Sequence, residues 1–113
     1  MPEHRALTTT EQQALERFKT ALRSLLGDNL LSLRLFGSRV RGEGTEESDL
    51  DVLVLVREKD RALCRCIVEE SLEVDLTYGT NLAPTILSAE EYQENKEHQT
   101  PFYRNVERES LPL

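Results

Sequence analysis

The sequence predicts an α/β fold in which helices pack on a small mixed central sheet of about three to four strands. Three observations predict it: apolar residues at helical spacing near the N-terminus, a leucine-rich stretch that alternates with polar residues, and a nearly continuous apolar run beyond it. With 113 residues, the chain can bury one modest core. We therefore expect a single domain spanning residues 1–113.

The first predicted helix runs from Thr10 to Leu26. Thr8 and Glu11 have the spacing of a capping box, in which each side chain bonds the backbone N–H of the other residue. Apolar residues then recur at helical spacing, at Leu15, Phe18, Leu22 and Leu25. Gly27 is expected to end this helix, because glycine readily adopts the left-handed backbone found after helix C-termini.

The first predicted strand, Leu30 to Phe36, alternates leucine with polar residues and delivers Gly37 and Ser38 to the sheet edge. A glycine lets backbone N–H groups approach a phosphate, and the Ser38 hydroxyl can donate to a phosphate oxygen. The residues from Arg39 to Glu47 are expected to form a short irregular or helical link. Its glycines and acidic residues predict an exposed flexible loop that could close over a nucleotide.

The second predicted strand, Leu50 to Val56, is apolar at nearly every position and should lie inside the sheet. Asp49 and Asp51 are at alternate positions, and because strand side chains alternate, both carboxylates project from one face. Two such groups can bind Mg²⁺, and without a cation their charges would repel each other. The alternative is that Asp49 caps the turn and Asp51 pairs with Arg39 or Arg41.

The Gly37-Ser38 turn and the Asp49-x-Asp51 pair predict that phosphate and metal share one end of the sheet, which suggests a nucleoside triphosphate ligand. Their spacing resembles the signature of the polymerase-β-like nucleotidyltransferases. The segments Arg39-x-Arg41-Gly42 and Ser48-Asp49-Leu50-Asp51 are similar to those of the small prokaryotic branch called minimal nucleotidyltransferases. This resemblance covers most of the chain and implies a nucleotidyltransferase-like fold.

The resemblance implies a Mg²⁺-dependent transfer of a nucleoside monophosphate, AMP from ATP, to a hydroxyl acceptor. Asp49 and Asp51 would be the catalytic residues and would hold two Mg²⁺ ions. The nucleotide-binding residues that it implies are Gly37, Ser38, Arg39, Arg41 and Ser48.

A third carboxylate of that family lies on a later strand, and its candidate here depends on an ambiguous segment. Arg61 to Tyr78 has helical periodicity, while Leu72 to Tyr78 also alternates like a strand. The helix is the favoured interpretation. As part of a strand, Asp75 would be a third metal ligand. If the segment is helical, the third strand is Asn81 to Leu87, which has no acid, and Pro84 predicts an edge position for it.

Two short helices are predicted near the C-terminal end. Ser88-x-x-Glu91 forms a second capping box at the start of a polar helix. Thr100-Pro101 begins the last helix, because proline fits the first turn of a helix. On that helix Phe102 and Val106 share a face that we expect to dock onto the sheet.

The charge balance excludes some classes of partner. The 14 basic residues are outnumbered by 21 acidic ones, for a net charge of −7, and no basic stripe could follow a nucleic-acid backbone. We therefore expect no nucleic-acid substrate. The chain has neither an apolar run of membrane-spanning length nor an apolar secretion signal, so we expect no membrane partner and a cytoplasmic location.

The resemblance also implies an acceptor. Larger relatives carry an added helical domain for an antibiotic or nucleic acid, whereas standalone minimal members pair with a separate HEPN-domain protein. This implies the antitoxin half of a toxin–antitoxin pair, which would transfer AMP to a tyrosine of a partner HEPN toxin. Two alternatives stay open: a binding module that neutralises a basic partner without turnover, and a small-molecule nucleotidyltransferase that self-associates to build its acceptor pocket.

Overall fold

The computed structural model of the protein describes residues 7–42 and 48–113. The helices in these ranges are α1 (Thr9–Leu26), α2 (Ser38–Arg41), α3 (Arg61–Tyr78), α4 (Ala89–Glu97) and α5 (Pro101–Glu109). The strands are β1 (Leu30–Phe36), β2 (Leu50–Val56), β3 (Leu82–Ser88) and β4 (Leu111–Pro112). The loop predicted to cover a nucleotide falls partly on residues 43–47, which lie outside the described residues.

The described strands form a four-stranded mixed sheet in the order β3-β2-β1-β4, which confirms the predicted fold class. β2 pairs in parallel with β3 and antiparallel with β1, and β1 pairs antiparallel with β4. The apolar strand β2 is therefore internal. β3 is at an edge, as Pro84 predicts, because proline lacks the N–H that a strand between two neighbours would need.

α1 and α3 pack against one face of the sheet. α1 begins at the predicted capping box, in which Glu11 N donates to Thr8 Oγ1 at 3.0 Å and Thr8 N donates to Glu11 Oε1 at 2.9 Å. The fully buried side chains of this layer include Phe18, Leu22, Val52, Val54 and Ile67. Because burying such a side chain stabilises a protein by about 1.5–3 kcal/mol, this layer is the main core.

The ambiguous segment is helical over the whole of Arg61–Tyr78, which confirms the favoured interpretation. Its buried residues, Ile67, Ser71 and Val74, follow helical spacing toward α1 and the sheet. Burial at that spacing outweighs the strand-like alternation near the end of the segment. Neither α3 nor any other helix within the described ranges is long and apolar enough to cross a membrane.

α4 and α5 lie on the opposite face of the sheet. Phe36 of β1 directly follows the core residue Leu35, so its side chain projects from the opposite face of the sheet. There its ring contacts the ring of Phe102 edge to face, with centroids 5.5 Å apart. Val106 of α5 is fully buried. The docking face predicted for α5 is therefore confirmed.

Candidate active site

β1 and β2 bring the glycine turn and the second aspartate together at one end of the sheet. Phe36 and Asp51 are register partners, so Gly37 follows directly beside Asp51. Gly37 has a φ of +91°, and a Cβ added to it would collide with Asp51 Oδ2 and lie 3.1 Å from Asp51 Cγ. Both the positive φ and this close approach require glycine. The predicted turn and carboxylate therefore meet in the structure.

Ser38 begins α2, a single turn that closes over Gly37. The backbone N–H groups of Val40 and Arg41 donate to the Gly37 carbonyl at 3.1 and 3.4 Å. Ser38 is half-buried and directly follows the glycine that approaches Asp51. The structure therefore places Ser38 at the same end of the sheet as the carboxylates.

Asp49 and Asp51 provide two carboxylates at the start of β2. Asp51 is partly buried and Asp49 is exposed. Burial raises the pKa of Asp51, the charge of Asp49 raises it further, and Arg41 opposes both effects. A bound cation would relieve the cost of ionising Asp51, and carboxylate oxygens are ligands that Mg²⁺ prefers. The chemistry of this pair therefore fits a magnesium site.

The predicted third carboxylate does not join this pair. The described ranges contain no group of three or more acidic, histidine or cysteine side chains that could hold a metal ion. Asp75 lies on α3, where its Oδ1 accepts from Thr80 Oγ1 at 2.8 Å and from Leu82 N at 2.9 Å. On β3, the register partner of Asp51 is Ala83. Asp75 therefore has a structural role in the turn before β3.

Arg39, which is predicted to bind nucleotide, is instead directed into the protein. Its residue surface is 1% exposed, and its guanidinium donates to both carboxylate oxygens of Glu11, at 2.8 and 2.5 Å. Nη1 also donates to the Ser48 carbonyl at 3.3 Å. Because these bonds join α1, α2 and the residue before Asp49, the prediction for Arg39 is corrected to a structural role.

No sequence pattern predicts that Glu11 pairs with Arg39 beside this site. Burial alone would raise the pKa of Glu11, but the bonds from Arg39 and from Thr8 hold that pKa below its ordinary value. The buried pair is therefore charged and compensated. The capping box reveals the role of Glu11 in starting α1, but no local signal links it to an arginine beyond the next strand.

Arg41 and Ser48 border the carboxylate pair. Arg41 Nη1 lies 3.0 Å from Glu109 Oε2, and its positive charge opposes the raised pKa of Asp51. Ser48 is half-buried, and its carbonyl accepts a hydrogen bond from Arg39. Of these two residues, Arg41 is the one whose side-chain charge acts on Asp51.

The sequence matches the profile of a nucleotidyltransferase domain over residues 15–109. A candidate protein adenylyltransferase of Methanocaldococcus jannaschii is 33% identical over 103 residues, which cover 91% of this chain and 97% of that protein. Another candidate protein adenylyltransferase of the same organism is 38% identical over 79 residues, covering 65% of this chain and 52% of that protein. The chain thus spans nearly all of one relative and about half of the other.

Two solved structures have a similar fold. A candidate minimal nucleotidyltransferase superposes with a TM-score of 0.54 and 28% identity, over 95% of this chain and 98% of that chain. A spectinomycin adenyltransferase of Enterococcus faecalis, solved with ATP and spectinomycin, gives a TM-score of 0.59 and 27% identity over 74% of this chain. The matched part spans 35% of that enzyme's chain. The nucleotidyltransferase-like architecture is therefore confirmed.

Proposed function

Because the chain belongs to the nucleotidyltransferase domain family, we propose that it transfers AMP from ATP to a hydroxyl group of a partner protein. The approach of Gly37 to the Asp51 carboxylate carries this proposal, since it sets the turn proposed to bind phosphate against the aspartates proposed to hold Mg²⁺. The candidate protein adenylyltransferase that the chain matches over 97% of its length supports a protein acceptor.

Five residues at this end of the sheet have proposed roles in the transfer. Asp49 and Asp51 would hold Mg²⁺, which supplies positive charge to offset that of the triphosphate and of the pyrophosphate leaving group. Gly37 leaves room for the phosphates, and Ser38 donates a hydrogen bond to one of them. Arg41 adds a charge-assisted hydrogen bond to a phosphate oxygen at the protein surface.

The proposed acceptor is a tyrosine of a HEPN-domain toxin, with this chain acting as its antitoxin in the cytoplasm. The resemblance to minimal nucleotidyltransferases supports this assignment. The net charge of −7 is also suited to a basic protein surface rather than to nucleic acid. Complementary charge would speed association and orient the acceptor toward the carboxylate pair.

The test incubates the purified chain with MgCl₂, each nucleoside triphosphate in turn and a purified HEPN protein encoded beside it. We expect the HEPN protein to gain the mass of one AMP on a tyrosine when ATP is supplied. Glu16→Gln, a change at an exposed acid of α1, should transfer AMP as the wild type does. If the chain binds ATP and forms a complex with the HEPN protein but never modifies that protein, the catalytic role is rejected in favour of binding alone.

A further inference from the structure

Asn81 directly precedes β3 and lies beside the start of β2. Leu50 N donates to the Asn81 carbonyl at 2.8 Å, and Leu50 is the register partner of Leu82 in the parallel ladder of β2 and β3. Asn81 is therefore level with Asp49, and strands paired in this way are about 4.8 Å apart. The pairing of two strands that α3 separates along the chain thus brings an asparagine next to the proposed metal ligands.

The pattern of burial places the Asn81 side chain on the same face of the sheet as the two aspartates. Leu82 packs in the core with its register partner Leu50, whereas Asn81 is exposed. Because side chains alternate between the faces of a sheet, Asn81 projects from the face opposite to the core, as Asp49 and Asp51 do on either side of Leu50. An amide group therefore borders the carboxylate pair.

The next residue of β3 on this face is an alanine. Ala83 is the register partner of Asp51 and follows Asn81 at the alternate position. The side chain of an alanine ends at Cβ, so it offers no ligand of its own. Of the two residues level with the aspartates, Asn81 is therefore the one that has a side-chain oxygen.

The backbone of Asn81 is held in place while its amide group is available to a ligand. Leu50 N donates to its carbonyl, and Asp75 Oδ1 accepts from Thr80 Oγ1 and Leu82 N on either side of it. The bond from Leu50 belongs to the strand pairing, so it holds Asn81 without the help of Asp75. In the part of the chain that the structure describes, no residue hydrogen-bonds the Asn81 amide.

We propose that the side-chain oxygen of Asn81 is a third ligand for the Mg²⁺ that Asp49 and Asp51 are proposed to hold, an inference that rests on the proposed function. Carbonyl oxygens suit Mg²⁺ as carboxylate oxygens do. An amide carries no charge, so it adds a ligand without adding to the repulsion between the two aspartates. An acid at this position would raise that repulsion in the metal-free protein and bind the ion more tightly.

Binding of Mn²⁺ tests the proposal without relying on transfer, because Mn²⁺ takes the same oxygen ligands as Mg²⁺. Electron paramagnetic resonance of the free ion measures its affinity, first for the chain alone and then with a non-hydrolysable ATP analogue. We expect Asn81→Ala to weaken Mn²⁺ binding about tenfold and Asn81→Asp to strengthen it by a similar factor. Asn105→Ala and Asn105→Asp, at an exposed asparagine of α5, are matched controls and should bind Mn²⁺ as the wild type does.

Two results would overturn the metal ligation. Asparagine is common in turns for conformational reasons alone, and unchanged Mn²⁺ affinity in both Asn81 variants would assign it to that role. The second result is weaker binding of the ATP analogue by Asn81→Ala in EDTA, with unchanged Mn²⁺ affinity. It would show that the amide donates to a phosphate instead.

The same titrations separate this inference from the proposed function. If the wild type binds no Mn²⁺ with or without the ATP analogue, the metal site of the proposed function is rejected and this inference with it. If Mn²⁺ binding depends on Asn81 as expected but no partner is ever modified, the proposed transfer is rejected, and Asn81 stands as a metal ligand.

Discussion

Two acidic sites at the same end of the sheet differ in how their charge is compensated. Burial acts against ionisation of Glu11, yet its bonds with Arg39 and Thr8 hold its pKa below the ordinary value. At Asp51, burial and the neighbouring charge of Asp49 act together, and the pKa is raised. Arg39 neutralises the first site, whereas at the second the charge of Arg41 opposes the rise in the pKa of Asp51 without cancelling it.

This difference suggests that the Glu11–Arg39 pair supports the structure, whereas the Asp49–Asp51 pair is the one proposed to act in the reaction. A compensated buried pair holds its neighbours in one geometry, whereas an uncompensated pair costs stability until a ligand binds. Here Arg39 follows Gly37 and Ser38 in α2, so its bonds to Glu11 fix the turn that approaches Asp51. We therefore expect changes at Glu11 or Arg39 to reduce stability first, and changes at Asp49 or Asp51 to reduce activity first.

The largest expected effect is loss of transfer in Asp49→Asn or Asp51→Asn. Each change removes a proposed metal ligand without changing the size of the side chain, and the rate should fall by about 10³-fold or more. Initial rates of partner modification measure this. Asp28→Asn, at an exposed aspartate of the turn before β1, is the control and should be silent. Transfer at the wild-type rate by either active-site variant would remove the catalytic assignment.

Arg39→Met should cause the largest loss of stability. It leaves the Glu11 carboxylate buried without its cation, at a cost of about 3–5 kcal/mol in the free energy of unfolding. The folded pKa of Glu11 lies below 4.5, so the contribution of the pair is present above pH 4.5 and is lost as pH falls through that lowered pKa.

Urea unfolding at neutral and acidic pH measures this loss. We expect the gap between the wild type and Arg39→Met to shrink in acid, and Glu11→Gln in the same chain to recover part of the stability at neutral pH. A gap that does not depend on pH would show that the lost contribution is packing rather than charge.

Gly37→Ala and Gly42→Ala should differ, although both glycines have positive φ, at +91° and +75°. An added Cβ at position 42 meets nothing within 4 Å, so this variant bears backbone strain alone, about 1–2 kcal/mol. Gly37→Ala must also displace Asp51, so its total loss should reach about 2–3 kcal/mol and be accompanied by weaker ATP binding. Unfolding and calorimetric titration compare them, and equal losses would contradict the close approach.

A smaller effect is expected on the stability of the metal-free protein. The folded pKa of Asp51 is raised above 3.8, so its contribution is most favourable below pH 3.8 and is lost as pH rises through the raised pKa. Asp51→Asn should therefore melt higher than the wild type at neutral pH, and the difference should close in acid. Adding Mg²⁺ should raise the Tm of the wild type more than that of the variant. A lower Tm for the variant at neutral pH would contradict a net cost of ionising Asp51 in the folded protein.

The smallest effect on transfer is expected at Asp75, which lies on α3 and belongs to neither acidic site. Asp75→Ala removes acceptors for Thr80 and Leu82 and should cost about 1–2 kcal/mol in the free energy of unfolding. Transfer should be unchanged. Glu73→Ala, at an exposed acid on the same helix, is the control for stability. Loss of transfer in a folded Asp75→Ala protein would restore Asp75 as a participant in the chemistry.

Elements that carry their own local pattern agree with the sequence prediction. α1 begins at Thr9, one residue before the predicted Thr10, while β1 and β2 have their predicted bounds. Capping boxes and apolar periodicity specify such elements through neighbouring residues alone. β4 is not predicted, because its two residues are too few to show a period and it exists only through pairing with β1.

The meeting of Gly37 with Asp51 also follows from local sequence, because each residue borders a strand of clear pattern and adjacent antiparallel strands align their connected ends. Packing alone directs Arg39 inward to Glu11, 28 positions away, and sets Ala83 beside Asp51. Such contacts depend on how helices and strands are arranged in space, which no local period encodes. Once buried, an unpaired guanidinium or carboxylate is so costly that the tertiary structure must supply its partner.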